Sequence, residues 1–202
     1  MQDRSVRIIL ASRSGARAEM LASAGLVFDA CPADLDETAV KDSMLAEGNA
    51  PVSIARTLAG RKALQVSTDH PDALVIGADQ LLAFDGTIFS KARSRAEACE
   101  QLKTLRGKSH SLISAVSLAR GGALLWQHDD SAMLEMRNIS DAYLADYLDQ
   151  MGDSIFSSVG GYQLEGLGSQ LFSAVRGDYF TVLGMPLLPL LAALRQHGAL
   201  AS

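Results

Sequence analysis

Apolar positions alternate between two rhythms along the first third of the chain. Ser5–Ser12 ("SVRIILAS") is a short continuous apolar run, as a buried strand requires. Gly15–Gly25 ("GARAEMLASAG") then has helical spacing and closes on a glycine. "LVFDACPAD" reads as a second short strand broken by Pro32. Residues 35–50 are acidic and polar, and the pattern predicts a loop with at most a helical turn. Pro51–Ser67 places Ile54, Leu58 and a further Ala/Leu/Val series at helical spacing, with Pro51 where a helix start tolerates it.

"ALVIGADQLLAF" predicts a strand, and Asp85-Gly86 a hairpin turn. Ser94 and Glu97 have capping-box spacing at the head of a helix that ends by Gly107. "HSLISAVSLARGGALLWQHDDSAMLEM" predicts three strands, turning at Gly121-Gly122 and at Asp129-Asp130. "SDAYLADYLDQMG" is a helix, the next stretch is glycine-rich and then strand-like, and "PLLPLLAALRQHG" is a closing amphipathic helix. Helices alternate with strands early and strands cluster in the middle, so the expected class is α/β with a mixed sheet. No repeat, low-complexity tract or long linker interrupts residues 1–202, which read as a single domain.

Composition narrows the classes. At 48% apolar and 20% charged, the chain can build a core. A net charge of −5 argues against nucleic acid or an anionic membrane as partner, though not against a local cationic pocket. Cys31 and Cys99 lie far apart, which disfavours a disulfide framework or a cysteine zinc site and suggests two small buried side chains. The four histidines show no metal-ligand spacing. No spanning apolar run or signal-peptide pattern is present, so the expected location is cytoplasmic.

Five places could carry chemistry. In "LASRSGAR" a strand runs through Ser12 and Ser14 into a helix, whose N-terminal amides attract anions. Arg17 could reach the same anion, whereas Ser14 could equally be a plain cap. In "DLDETA", Asp36 and Glu37 could hold Mg²⁺ or Mn²⁺ through oxygen, or could simply be solvated. Lys62 matters if its helix faces a cleft; otherwise it is a surface lysine. Asp79, at a strand end with Gln80 beside it and Lys91 beyond the turn, could bind a metal or draw a proton from water. An Asp79–Lys91 ion pair is the plainer alternative. "GGYQLEGLGS" allows a backbone to approach a ligand closely, with Glu165 as a polar contact, or is only a tight loop. No GxxxxGK[ST] motif occurs, which disfavours an ordinary P-loop enzyme.

Together, in register, "LASRSGARAEML", "DLDETA", Lys62-Ala63, "GADQLLAFDGTIFSKA", "LRGKSH", "GGYQLEGLG" and "GMPLLPLL" resemble the Maf family of nucleotide pyrophosphatases. Three positions depart from its usual pattern: Gly15 replaces Pro, Ala16 replaces the first of two arginines, and Ala92 replaces the Pro after Lys91. The resemblance implies two lobes around a deep cleft, like the inosine-triphosphate pyrophosphatases. It implies hydrolysis of a nucleoside triphosphate to the monophosphate and pyrophosphate with a divalent cation, and a homodimer. Asp79 would be the catalytic acid/base, Ser12, Ser14, Arg17, Lys62 and Lys91 would bind substrate, and Glu37 with Asp79 would hold the metal. Ala16, Gln80 and Glu165 occupy the positions that tune base choice, and Gln80 with Glu165 resembles the 7-methyl-GTP branch. The alternatives are a dTTP/UTP pyrophosphatase and a nucleotide-binding regulator of cell division with little catalysis.

Overall fold

The computed structural model describes residues 1–201. Its element order is β1 (Ile8–Leu10), α1 (Gly15–Ser23), β2 (Asp29–Ala30), α2 (Glu37–Ala46), α3 (Pro51–Asp69), β3 (Leu74–Phe84), β4 (Thr87–Phe89), α4 (Arg95–Leu105), β5 (Ser109–Arg120), β6 (Ala123–Met136), α5 (Asp141–Met151), β7 (Phe172–Arg176), α6 (Tyr179–Val182) and α7 (Leu187–Gln196), with short 3₁₀ turns between α5 and β7. The strands form one seven-stranded mixed sheet in the order β2-β1-β3-β5-β6-β7, with β4 paired to β3. β1 runs parallel to both β2 and β3, while β3–β4 and β6–β7 are antiparallel. The expected α/β mixed-sheet class therefore holds.

The chain divides into two compact units. Among the described residues the first comprises 1–80, 114–130 and 184–201. Its core includes Ile9, Ala11, Ala63, Val66, Ala73, Val75 and Ala119. β1 and the first part of β3, residues 74–79, are buried, which explains the apolar runs at 8–10 and 74–78. The second unit comprises residues 81–113 and 131–183. Its core gathers Leu82, Leu102, Leu105, Leu134, Leu144, Tyr147, Leu148, Tyr162 and Leu171, among others.

Three expectations need correction. Residues 37–46, expected as loop, form the helix α2. Asp36 caps it, accepting from the Ala39 amide at 2.9 Å, and only Val40 is buried, so the stretch carries almost no apolar stripe to announce a helix. The central region forms two strands rather than three. Gly121 and Gly122 both adopt positive φ, as a two-residue hairpin turn demands, whereas Asp129-Asp130 continues through β6 with Asp129 paired to Arg56. The cysteines are both free but only half-buried. The Asp85-Gly86 turn forms as expected, with φ of 49° and 75°.

At Gly77 the strand and helix layers come into backbone contact. A Cβ there would lie 2.2 Å from the Ala59 carbonyl oxygen and 2.7 Å from the Ala63 nitrogen. Ala59 and Ala63 are one turn apart on α3, so the helix backbone rests directly on β3. Side chains alternate across a strand, so Gly77 and Asp79 share the face that meets α3.

Urea unfolding of Gly77→Ala should show a loss of about 3 kcal/mol, the upper end for overpacking, because backbone atoms cannot swing aside. Gly15 offers the opposite case. It opens α1 behind Ser14, which is extended at φ −72° and ψ 117°, and nothing lies within 4 Å of its would-be Cβ. Gly15→Pro should therefore stabilise the protein by roughly 0.4–1 kcal/mol in the same measurement.

Candidate active site

In the first unit, a cluster of charge forms beyond the end of β1 and at the middle of β3 (Leu74–Phe84), so Asp79 is not at the strand end its apolar run suggested, because the strand continues through Gln80 to Phe84. Beyond β1, Ser12 Oγ accepts from the Ser14 amide (3.2 Å) and Ser14 Oγ caps α1 by accepting from the Arg17 amide (3.4 Å). Arg17 lies on the first turn of α1 and is buried. Its Nη1 donates to Ser12 Oγ (3.2 Å) and to the Ala78 carbonyl (3.0 Å), and its Nε to the Gly184 carbonyl (2.9 Å). A guanidinium held at three points has little rotamer freedom left to lose when it meets a ligand. Burial works against its charge, and Asp79 and Glu37 work in its favour.

Asp79 follows Ala78 on β3 and is only 5% exposed. Lys62, 7% exposed, approaches from α3. Its Nζ lies 2.7 Å from Asp79 Oδ1 and 2.9 Å from Glu37 Oε1, so one ammonium bridges two carboxylates. Glu37 is free to join because Asp36 has taken the capping role. As the first residue of α2 it also sits at the positive end of the helix dipole. Lys62 is thus a buried residue, not a surface lysine, and it pairs with Asp79. Burial raises the Asp79 carboxyl above the usual aspartate range; Lys62 and then Arg17 pull it back, and Glu37 adds slightly to the rise. Two acids and two bases leave the cluster formally neutral.

Gln80 faces away from Asp79 along the strand. Its Nε2 donates to Ser114 Oγ (3.1 Å), and Ser114 is fully buried on β5. Gly184 has φ 107°, and a Cβ there would lie 3.5 Å from both Arg17 Nη2 and Gln80 Oε1. The first unit therefore brings together Ser12, Ser14, Arg17, Glu37, Lys62, Asp79 and Gln80 from four separate stretches of chain. Ala16 lies half-buried beside them on α1. Lys91 and Glu165 belong to the second unit and are exposed there. Sequence reasoning missed Gly77, Ser114 and Gly184 as supports. Gly77 had a signal, a glycine inside a strand pattern. Ser114 had none, since it is one alternating position among many in β5.

The chain belongs to the Maf-like protein family, whose model matches residues 7–197. Among its relatives, a nucleoside triphosphate pyrophosphatase of Paramagnetospirillum magneticum is 53% identical over 192 residues, covering 95% of this chain and 99% of that protein. A second protein of that name, from Granulibacter bethesdensis, is 48% identical over 96% of this chain and 99% of its own length. A 7-methyl-GTP pyrophosphatase of Brucella abortus is 45% identical over 96% of this chain and 97% of its own length. No helix among the described residues is long and apolar enough to cross a membrane.

The bridge sets a pH signature. Asp79 keeps its proton to higher pH in the fold than in the unfolded chain, so its contribution to stability is full below the unfolded value and is lost as pH rises through the folded one. Removing Lys62 raises the folded value further. Lys62→Met should cost about 3–5 kcal/mol at pH 8, as breaking a buried pair does. The deficit should shrink as the medium is acidified and Asp79 takes up a proton, which chemical denaturation at several pH values measures.

Proposed function

We propose that this chain is a nucleoside triphosphate pyrophosphatase, a hydrolase that cleaves the bond between the α- and β-phosphates to release the monophosphate and pyrophosphate. The observation that carries this reading is the Glu37–Lys62–Asp79 bridge, buried at Lys62 and Asp79, beside the anchored Arg17. The names of the relatives, at 45–53% identity over nearly the whole chain, support it.

A triphosphate brings several negative charges, and this chain's residues meet them in kind. Lys62, Arg17 and the N-terminal amides of α1 beyond Ser12 and Ser14 neutralise phosphate oxygens, and the family resemblance adds Lys91 as a further substrate-binding candidate. Asp79 accepts a proton from the attacking water as its oxygen bonds to the α-phosphorus; the α-phosphorus–bridging-oxygen bond breaks and pyrophosphate leaves. A carboxylate whose proton affinity burial has raised suits that task. The donor chemistry also fits a divalent cation. Glu37 and Asp79 offer hard oxygens, and Mg²⁺ commonly takes one or two carboxylates with the remainder from water and phosphate. Among the described residues no group of three or more His, Cys, Asp or Glu gathers for a metal, so water and substrate phosphate would supply the other ligands. Bound there, Mg²⁺ or Mn²⁺ would supply charge neutralisation on the phosphate oxygens.

The base is a finer matter. Gln80 and Glu165 favour 7-methyl-GTP, since a carboxylate accepts from the N1–H and exocyclic amine of guanine and suits a cationic methylated ring. Several relatives at 44–45% identity bear the name 7-methyl-GTP pyrophosphatase. A panel of 7-methyl-GTP, GTP, dTTP, UTP and CTP with Mg²⁺ or Mn²⁺ tests the reading through pyrophosphate release. Turnover of 7-methyl-GTP above the rest is expected. Preference for dTTP or UTP would overturn the base assignment, and nucleotide binding without product would overturn the enzyme. Asp79→Asn should lower kcat by roughly 10²–10⁴-fold, the usual contribution of a positioned acid–base group, with the fold retained by circular dichroism.

A further inference from the structure

A hollow of about 420 Å³ lies between α2 and α3, wholly within the first unit. It shares no lining residue with the Glu37–Lys62–Asp79 bridge. α2 contributes Val40 and Met44, and α3 contributes Thr57 and Arg61. The volume falls within the range of small-molecule sites, roughly 300–1,000 Å³. The gap exists because α2 packs lightly: of its ten residues only Val40 is buried. Arg61 and Lys62 are consecutive on α3, so about 100° of helix rotation separates them. Lys62 turns to Asp79 and Arg61 lines the hollow.

The charges around the hollow are not paired off. Glu47 lines it too, yet does not neutralise Arg61. Its Oε1 accepts from Ser43 Oγ (3.2 Å) and its Oε2 from Asn49 Nδ2 (3.2 Å). Asn49 Nδ2 also donates to the Met44 carbonyl (3.1 Å), which keeps the acid on the α2 side. Among the described residues the Arg61 guanidinium has no ion pair or hydrogen bond, and the Thr57 hydroxyl has no hydrogen bond. The two are four residues apart on α3 and therefore lie on one stripe of the helix. A guanidinium left free in this way prefers an oxyanion, and a planar carboxylate matches its fork. The nearby Glu47 charge repels a dianion such as phosphate more than a monoanion. Val40 and Met44 offer an adaptable apolar surface to the rest of such a molecule.

We propose that the hollow between α2 and α3 is a second binding site, for a small carboxylate with an apolar body whose head meets Arg61 and Thr57. The site stands apart from the hydrolysis proposed above and does not depend on it. Benzoate is the probe, with benzyl alcohol as its uncharged counterpart and inorganic phosphate as an anion without an apolar body. Methyl NMR of the full chain follows Val40, Met44 and Thr57 during each titration. Benzoate should shift all three along one saturating curve, and benzyl alcohol should bind about tenfold more weakly, as for a lost charge-assisted hydrogen bond. Arg61 is exposed, so its replacement leaves the core intact. Arg61→Gln should weaken benzoate about tenfold and leave benzyl alcohol unchanged. Arg61→Lys, which keeps the charge but not the fork, should fall between. No saturating shift at Val40 and Met44 would overturn the proposal. So would equal benzoate affinity in the wild type and Arg61→Gln. Phosphate that moves the same methyls as tightly as benzoate would overturn the choice of a carboxylate with an apolar body.

Discussion

Everything at the candidate site depends on one ammonium group between two carboxylates. An ionised aspartate that is 95% buried is costly, and Lys62 is what makes Asp79 tolerable where it stands. The lysine is equally buried and equally dependent on its partners. Such a pair adds little to stability compared with apolar residues of the same size. Its presence in the middle of β3 is better explained by chemistry than by folding.

The bridge is in turn a consequence of backbone packing. Gly77 lets α3 lie against β3 at main-chain contact, and Ala59 and Ala63 keep the helix surface small there. Lys62 follows from that helix and Asp79 from that strand. Arg17 ties the same strand, through Ala78, to the first turn of α1 and to Gly184. Three elements and one distant turn therefore fix a single carboxylate. This is how a preorganised site is held: by groups whose own freedom has already been removed.

Much of this was legible in the sequence, for identifiable reasons. Buried parallel strands betray themselves as apolar runs, and Asp79 stood out because it broke into one, though the strand runs on past it to Phe84. Capping residues announced α1 and α4: Ser14 and Ser94 each accept from the amide three residues on. The loop-like composition of residues 37–46 hid α2, because a surface helix that buries one side chain has no stripe to read. Asp129-Asp130 mimicked a turn because aspartate is frequent in turns, yet it lacks the ready access to positive φ that Gly121-Gly122 has. The Lys62–Asp79 pair was the larger miss. Sequence proximity pointed to Lys91, whereas a helix laid across the strand delivers Lys62 from 17 positions upstream. Contacts of that kind depend on how two elements cross, and no local pattern encodes the crossing.

The account's central claim is that burial, offset by Lys62, leaves Asp79 with a raised affinity for its proton. A ¹³C NMR titration of the Asp79 carboxyl, in the wild-type protein and in Lys62→Met, measures it directly. The account predicts a wild-type midpoint above the ordinary aspartate value of about 3.9 and a further upward move when the lysine is removed. A wild-type midpoint at or below that value, or one that ignores the loss of Lys62, would contradict it.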